Sequence, residues 1–272
     1  MSSKRDAQAL PLDGGGLGGG EASGESPHFI DITPPQPLPI KGRGFLIAAT
    51  TLFLLAACRA EPQAPRFPQA DRPVAAIVSD SFSTEDARDR LGEAEEVMAF
   101  AGVRPGMSIA DIGAGEGYYT VRLSPIVGRA GRVLAQDIVP VTRDHLAQRV
   151  DREGLDNVSV RLGLPDDPRL PAASFDRIFL VHMYHEVSSP YAFLWHLRAG
   201  LKPDGEVIVV DAERAARNHG MPRAQLRCEL AALGLEQVRI VTLTGSTNYA
   251  AAFRLARPRP APEAIKPCKA AG

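Results

Sequence analysis

The sequence contains very little cysteine and no excess of charge. Its 272 residues include only Cys58, Cys228 and Cys268, and no Cys-x-x-Cys spacing occurs that would indicate a zinc site or a redox pair. Cys228 falls in a helical pattern, so we expect it to be a small buried side chain. The 31 Lys and Arg residues are balanced by 32 Asp and Glu residues. This balance leaves no basic excess and argues against nucleic acid as a partner.

An apolar run long enough for a comfortable membrane span is also absent. The run from Phe45 to Ala57 has thirteen residues and follows Lys41 and Arg43, which is typical of the apolar region of a secretory signal peptide. It ends in Leu55-Ala56-Ala57-Cys58, which resembles the bacterial lipobox. The resemblance implies acylation of Cys58 and anchoring to a membrane on the periplasmic side. A short buried helix or an unprocessed anchor is the alternative interpretation, and a cytoplasmic protein is the alternative localisation.

Glycine and proline are concentrated near the two ends of the chain, where the sequence is too poor in apolar residues to form a core. We therefore predict five regions. They are a disordered N-terminus (1–40), a signal peptide with lipobox (41–58), a proline-rich tether (59–82), a globular domain (83–256) and a disordered tail (257–272).

The globular domain alternates apolar strands with helices. A helix is predicted to begin near Ser83, with Leu91 among its buried residues. The predicted strands are Met107–Ile112, Arg132–Ile138, Val158–Leu162, Asp176–Met183 and Glu206–Asp211. After the first strand, one helix is predicted to begin near Gly117. Three further helices are predicted at Val141–Glu153, Pro190–Leu201 and Arg223–Leu233. This order predicts an α/β fold, a doubly wound, mostly parallel sheet, and the final hairpin around "TGSTN" adds an antiparallel strand.

A glycine-rich loop follows the first strand in "ADIGAGEGYYT". Its spacing is Gly-x-Gly-x-Gly, whereas a dinucleotide-binding loop has its third glycine one residue later, here at Tyr118. Asp111 lies just before the loop, two residues before its first glycine, and would repel a pyrophosphate. The loop is therefore predicted to hold a ligand with positive charge, and a nicotinamide-dependent oxidoreductase is the less favoured interpretation.

Three further segments agree with this loop. "GRVLAQDI" ends in Asp137, "LGLPDDPRLP" follows the next strand, and "SFDRIFLVHMYHEV" contains the fourth. Taken in order, these segments resemble the class I S-adenosylmethionine-dependent methyltransferases. The resemblance implies a Rossmann-like, seven-stranded sheet of order 3-2-1-4-5-7-6 with strand seven antiparallel. It also implies S-adenosylmethionine as the cofactor.

The resemblance assigns a set of cofactor-binding residues. Asp137 is the expected ribose ligand, Asp166 or Asp167 lies at the adenine side, and Asp111 lies on the ammonium side. The complete expected set is Asp111, Gly113, Ala114, Gly115, Gly117, Tyr118, Asp137, Ile138, Asp166, Asp167 and His182. An exported protein has no obvious supply of this cofactor, so a membrane-anchored binding module without turnover is an alternative function.

The methyl acceptor is expected to meet the end of the fourth strand. If that strand continues, His182 and Tyr184 share one side of it, while Met183 and His185 share the other. His185 is the predicted general base for a small-molecule acceptor, with Tyr184 and Glu186 as orienting groups. A metal site using His182, His185, Glu186 and His219 is the less favoured interpretation, so no metal is expected. The sequence does not define the acceptor or the oligomeric state.

Overall fold

The computed structural model describes residues 65–77 and 85–269. The predicted disordered N-terminus, the predicted signal peptide and Cys58 lie outside the described residues. Those described belong to one compact unit, which spans residues 60–272. Within them, no helix is both long and apolar enough to cross a membrane.

Six helices and seven strands form the described part of the domain. The helices are α1 Glu85–Arg90, α2 Glu93–Phe100, α3 Tyr118–Val127, α4 Pro140–Arg152, α5 Pro190–Leu197 and α6 Arg223–Ala232. The strands are β1 Ser108–Ile112, β2 Arg132–Asp137, β3 Val158–Leu162, β4 Phe175–Val181, β5 Leu201–Ala212, β6 Leu235–Thr242 and β7 Asn248–Leu255. Short 3₁₀ turns follow β4 at Tyr184–Glu186 and β5 at Ala216–Asn218.

The seven strands form one sheet of order β3-β2-β1-β4-β5-β7-β6. Strands β1 to β5 pair in parallel, and β7 runs antiparallel to both β5 and β6. The predicted doubly wound fold and its strand order are confirmed. The strands β1, β4 and β5 are central, and most of their residues are buried because both faces of the sheet are covered there.

The first predicted helix is instead two short helices. Gly92 adopts a left-handed conformation with φ of 66° between α1 and α2, which breaks the helical path. The chain turns there, so α2 buries Glu93, Ala94, Val97 and Met98 against the sheet. Leu91 was expected in the core, but half of its surface is exposed.

The fourth strand ends earlier than the sequence indicates. It stops at Val181, and His182 follows with φ of 52°, a left-handed conformation that a strand cannot continue through. The expected alternation of His182 and Tyr184 against Met183 and His185 is therefore wrong. The 3₁₀ turn after the strand sets the directions of these side chains instead.

The segments on either side of the predicted domain pack against it. In the expected tether, Phe67 contacts the ring of Trp195 edge-on and Ala75 is buried. In the expected disordered tail, Cys268 forms a disulfide with Cys228 of α6, at a Cα–Cα distance of 6.0 Å. Cys228 is thus an exposed, disulfide-bonded residue rather than a buried apolar one. Residues 65–77 and 257–269 therefore belong to the folded unit.

Candidate functional site

One cavity of about 940 Å³ opens at the carboxyl ends of the parallel strands. This is the edge at which open α/β sheets bind ligands. The loops after β1 to β5 line it, and helices α1 and α2 cover one side. We call the part next to β1 and β2 the cofactor end, and the part next to β4 and β5 the acceptor end.

The glycine loop borders the cofactor end with its backbone. Gly113, Gly115 and Gly117 have φ angles of 66°, 56° and 91°, a left-handed region in which only glycine is unstrained. A Cβ atom on Gly117 would lie 2.5 Å from Cδ1 of Leu146. The third glycine therefore allows α3 to begin directly above α4, and the loop is held close to the cavity.

Asp137 fixes the glycine loop to the end of β2. Its Oδ2 atom accepts a hydrogen bond from the Gly115 N–H at 3.1 Å, and its Oδ1 atom accepts one from Val139 at 2.9 Å. Asp137 and Ile138 both line the cavity. A carboxylate has about four acceptor positions, so two remain for a ligand's hydroxyl groups.

The residue before Asp137 supplies an unpaired amide at the same end. Gln136 is 1% exposed and lines the cavity. Among the described residues, neither its Nε2 nor its Oε1 atom has a hydrogen-bond partner. A buried amide without partners is costly, and a polar ligand such as a nucleoside would satisfy it. The carboxylate, the amide and the apolar Ile138 together fit an adenosine-containing cofactor.

The predicted cofactor residues divide into two groups in the structure. The cavity is lined by Gly113, Ala114, Gly115, Tyr118, Asp137, Ile138 and His182. The structure does not place Asp111, Gly117, Asp166 or Asp167 on its surface. Asp167 accepts a hydrogen bond from the backbone of Arg169, and the backbone oxygen of Asp166 contacts His196. Leu164 and Pro165 line the cavity in their place.

Asp111 lies behind the glycine loop. It is buried, and its Oδ2 atom accepts a hydrogen bond from the Thr120 hydroxyl at 2.6 Å. Burial raises the pKa of Asp111 to about 6, and the hydrogen bond from Thr120 opposes that rise. The carboxyl group therefore supports the loop from below rather than meeting a ligand directly.

The acceptor end contains a buried ionic cluster that the sequence did not reveal. The carboxylate of Glu93 contacts His182 Nε2 at 2.9 Å, Arg88 at 2.8 Å and the Tyr119 hydroxyl at 3.2 Å. Burial acts to raise the pKa of Glu93, but His182 and Arg88 outweigh it and lower the pKa to about 2. Glu93 is therefore ionised at neutral pH, and it holds His182 toward α2.

His185 is held by a second carboxylate. Both oxygens of Asp211, at the end of β5, lie 3.0 Å from His185 Nδ1. Asp211 is fully buried and His185 is 3% exposed. Because a carboxylate accepts hydrogen bonds, this contact selects the tautomer with the hydrogen on Nδ1, and in the neutral imidazole Nε2 then carries the lone pair. His185, Glu186 and His219 all line the cavity.

Tyr184 does not lie in the cavity. Its hydroxyl donates a hydrogen bond to Glu229 of α6 at 2.7 Å, within the hydrophobic core. Arg72 forms a buried ion pair with the same carboxylate, at 2.8 Å. The expected orienting role of Tyr184 is therefore replaced by a structural one, because its ring fills the core below the turn that carries His185.

Sequence reasoning missed Arg88, Glu93 and Asn248 as cavity-lining residues. Glu93 lies in a charge-rich helix, where an acid is normally solvated, so the sequence carries no signal for its burial. Asp211 had a usable signal, since it ends a predicted parallel strand at the ligand-binding edge. From the sequence it is predicted only as the last residue of the strand Glu206–Asp211, with no role in the site.

The sheet order and the glycine loop define a Rossmann-like α/β domain with its ligand cavity at the strand ends. Residues 109–205 match a protein family described as "Methyltransferase domain". Nocamycin O-methyltransferase of Saccharothrix syringae is 35% identical over 121 residues, which cover 42% of this chain and 41% of that protein. The ubiquinone/menaquinone biosynthesis C-methyltransferase UbiE of Shewanella sp. (strain ANA-3) is 31% identical over 115 residues, which cover 41% and 45%.

A solved structure agrees with these sequence matches. The crystal structure of a SAM dependent methyltransferase from Aquifex aeolicus aligns with a TM-score of 0.57 and 25% identity, covering 60% of this chain and 90% of that one. The chain spans less than half the length of the two curated relatives above. Together the matches show that this domain is similar to S-adenosylmethionine-dependent methyltransferases, and the cofactor that this similarity implies is S-adenosylmethionine. They support neither a nicotinamide-dependent enzyme nor a binding module without turnover.

Proposed function

We propose that the protein transfers a methyl group from S-adenosylmethionine to a hydroxyl group of a small-molecule acceptor. The observation that carries this proposal is the shared cavity, which has the glycine loop and Asp137 at one end and the His185–Asp211 pair at the other. A cofactor held at the first end and an acceptor held at the second would meet within one cavity.

The residues of the cofactor end suit the proposed ligand. Asp137 would accept the ribose hydroxyls, Gln136 would pair with polar atoms of the nucleoside, and Ile138 would pack against the adenine. When bound, the cofactor supplies a methyl group already activated by its sulfonium. The protein then has to align the acceptor and exclude water, and orientation alone can lower the barrier by roughly 7–11 kcal/mol.

His185 is the proposed general base. Asp211 holds its Nδ1–H, so Nε2 presents a lone pair to the cavity. As the acceptor oxygen takes the methyl group, its proton passes to Nε2, and the buried Asp211 carboxylate stabilises the resulting imidazolium. Glu186 lies with its Oε1 atom 4.0 Å from Nε2, close enough to orient the acceptor hydroxyl.

The test compares His185→Gln with the parent, using labelled S-adenosylmethionine and two phenols of similar size. One phenol is protonated at the assay pH, and the other, 4-nitrophenol, is largely ionised. General-base catalysis contributes about 10²–10⁴-fold, so we expect a loss of that order with the protonated phenol. The loss should be much smaller with 4-nitrophenol, because that acceptor has no proton to give up.

Two controls separate this effect from misfolding or lost binding. His145→Gln changes an exposed histidine on α4 and should behave like the parent. S-adenosylhomocysteine should bind His185→Gln as tightly as the parent in calorimetry. Equal losses with both phenols would remove His185 as the base. A parent that binds no S-adenosylhomocysteine would contradict the proposed function itself.

We further propose that the domain acts outside the cytoplasm, anchored through Cys58. Two separate features support this localisation. The signal-like run ends at Cys58, and the Cys228–Cys268 disulfide is of a kind that persists in oxidising compartments. Fractionation of cells that express the parent and Cys58→Ser tests the anchor. A parent found in the soluble cytoplasmic fraction with residues 1–57 still attached would contradict it.

A further inference from the structure

Three side chains that commonly bind metals meet at the acceptor end of the cavity. His185, Glu186 and His219 each offer one nitrogen or oxygen atom, and these atoms lie within 4.8 Å of one another. Two imidazole nitrogens and a carboxylate oxygen form a ligand set that zinc takes in proteins. We propose that this His-Glu-His cluster binds a divalent transition-metal ion such as Zn²⁺.

Asp211 prepares His185 for this role. Its two oxygens lie 3.0 Å from Nδ1, and Oδ1 also accepts the Ala212 N–H at 2.8 Å, so the carboxylate is fixed by the strand that carries it. Histidine ligands of metals commonly donate their other ring N–H to such a carboxylate. The free atom is then Nε2, which faces Glu186 across 4.0 Å.

The backbone brings His219 to the same place. His219 follows the 3₁₀ turn after β5 with φ of 53°, and its carbonyl oxygen accepts a hydrogen bond from Arg214 Nε at 3.0 Å. Its ring meets that of His185 edge-on, with centroids 5.5 Å apart. Two ligands of a tetrahedral zinc ion lie about 3.4 Å apart when each is about 2.1 Å from the metal. Small rotations of the half-buried Glu186 and His219 side chains would therefore close the site.

The local charge favours a dication. Glu186 and Asp211 supply two negative charges, and Arg214, which lines the same cavity, supplies one positive charge. With neutral imidazoles the site has a net charge of −1. Three protein ligands leave one tetrahedral position for water or another oxygen ligand.

Metal binding and base catalysis exclude each other at His185. Its Nε2 atom has one lone pair, which serves either a metal ion or an acceptor proton. This consequence, unlike the binding itself, rests on the proposed methyl transfer. We therefore expect Zn²⁺ to inhibit methyl transfer and a chelator to restore it.

The binding test uses the full-length, tag-free chain after removal of metals with a chelator. Co²⁺ is titrated while its visible absorption is recorded, and Zn²⁺ displacement is followed by calorimetry, with neither cofactor nor acceptor present. The parent should bind one Co²⁺ per chain. We expect at least tenfold weaker binding for His219→Ala, weaker binding for Glu186→Gln, and parental binding for the exposed-site control His145→Ala. Circular dichroism melting checks that each variant is folded.

The outcomes separate the two proposals. A parent that binds no Co²⁺, or Co²⁺ binding that survives His219→Ala in folded protein, would overturn the metal site. Stimulation of methyl transfer by Zn²⁺ would overturn the competition for Nε2. If the parent binds Co²⁺ but no S-adenosylhomocysteine, the proposed function fails while the metal site stands.

Discussion

The two ends of the cavity are built in different ways. The cofactor end comes mainly from the backbone after β1 and from residues 136–139 at the end of β2. These two strands are neighbours in the sheet and are joined by α3. The acceptor end is assembled from side chains of four separate segments, represented by Glu93, His185, His219 and Asn248. A site made from backbone turns can be predicted from the residue spacing within one segment of the sequence. A site made from distant side chains exists only once the chain has folded.

The two ends also differ in what supports them. Asp111 and Asp137 hold the cofactor end through contacts with Thr120 and Gly115. The acceptor end depends on residues 65–77, because the Ala75 N–H donates to the His185 carbonyl at 3.1 Å and Arg72 pairs with Glu229. A change in that segment should therefore affect one end and spare the other.

The largest effect is expected for Arg72→Met. The Arg72 and Glu229 side chains are 3% and 0% exposed, and removing one partner of a buried ion pair destabilises a protein by about 3–5 kcal/mol. Urea unfolding should show this loss. In the folded fraction, methyl transfer should fall while S-adenosylhomocysteine affinity stays parental. Arg66→Met, at an exposed position of the same segment, is the control, and an equal loss there would contradict the asymmetry.

The next effect concerns pH and Asp111. Burial raises its pKa from 3.8 to about 6, so the folded protein keeps a proton that the unfolded chain has lost between those values. Asp111 therefore contributes most to stability below about pH 3.8, and this contribution is lost as the pH rises to about 6. Relative to Asp111→Asn, the parent should lose unfolding free energy over this window and change no further above it. A constant difference from pH 3.8 to 7 would contradict the raised pKa.

A smaller effect is expected for Asp137→Ala, measured as cofactor affinity. Loss of a hydrogen bond to a charged group costs roughly 1.5–3 kcal/mol, so S-adenosylhomocysteine should bind more weakly by that amount in calorimetry. Asp166→Ala is the matched control, because its side chain lies outside the cavity lining. If Asp166→Ala weakens binding as much as Asp137→Ala, the family resemblance describes the adenine side better than this structure does.

The smallest effect is expected for Glu85→Gln. Glu85 joins α1 to α4 through Arg149, with side chains 38% and 18% exposed, and an exposed pair of this kind is worth about 0.2–1 kcal/mol. The unfolding free energy should change by no more than that, and high salt should reduce the difference. A loss comparable to that of Arg72→Met would show that α1 is a main support of the site.

The contrast between the two ends explains what the sequence could predict. Gly113-x-Gly115-x-Gly117 and Asp137 follow strands at fixed spacing, so the cofactor end could be located in the sequence. The sheet order came from the family resemblance that these motifs carry. The pairing of His185 with Asp211 spans 26 residues, and that of His182 with Glu93 spans 89, so no local pattern encodes either. Residue propensities also do not predict the left-handed conformation at His182, because a non-glycine residue adopts it only when tertiary contacts hold it there.

Helix α6 sets the limits within which this protein can be shortened. Two of its adjacent residues are tied to opposite ends of the folded unit: Cys228 to Cys268, and Glu229 to Arg72. A chain that starts at residue 83 would keep the Glu229 carboxylate and the Tyr184 hydroxyl in the interior without their cation. A chain that stops at 256 would carry an unpaired thiol on an exposed helix face. For expression or crystallisation, a fragment that keeps both the buried ion pair and the disulfide should therefore begin before Pro65 and end after Cys268.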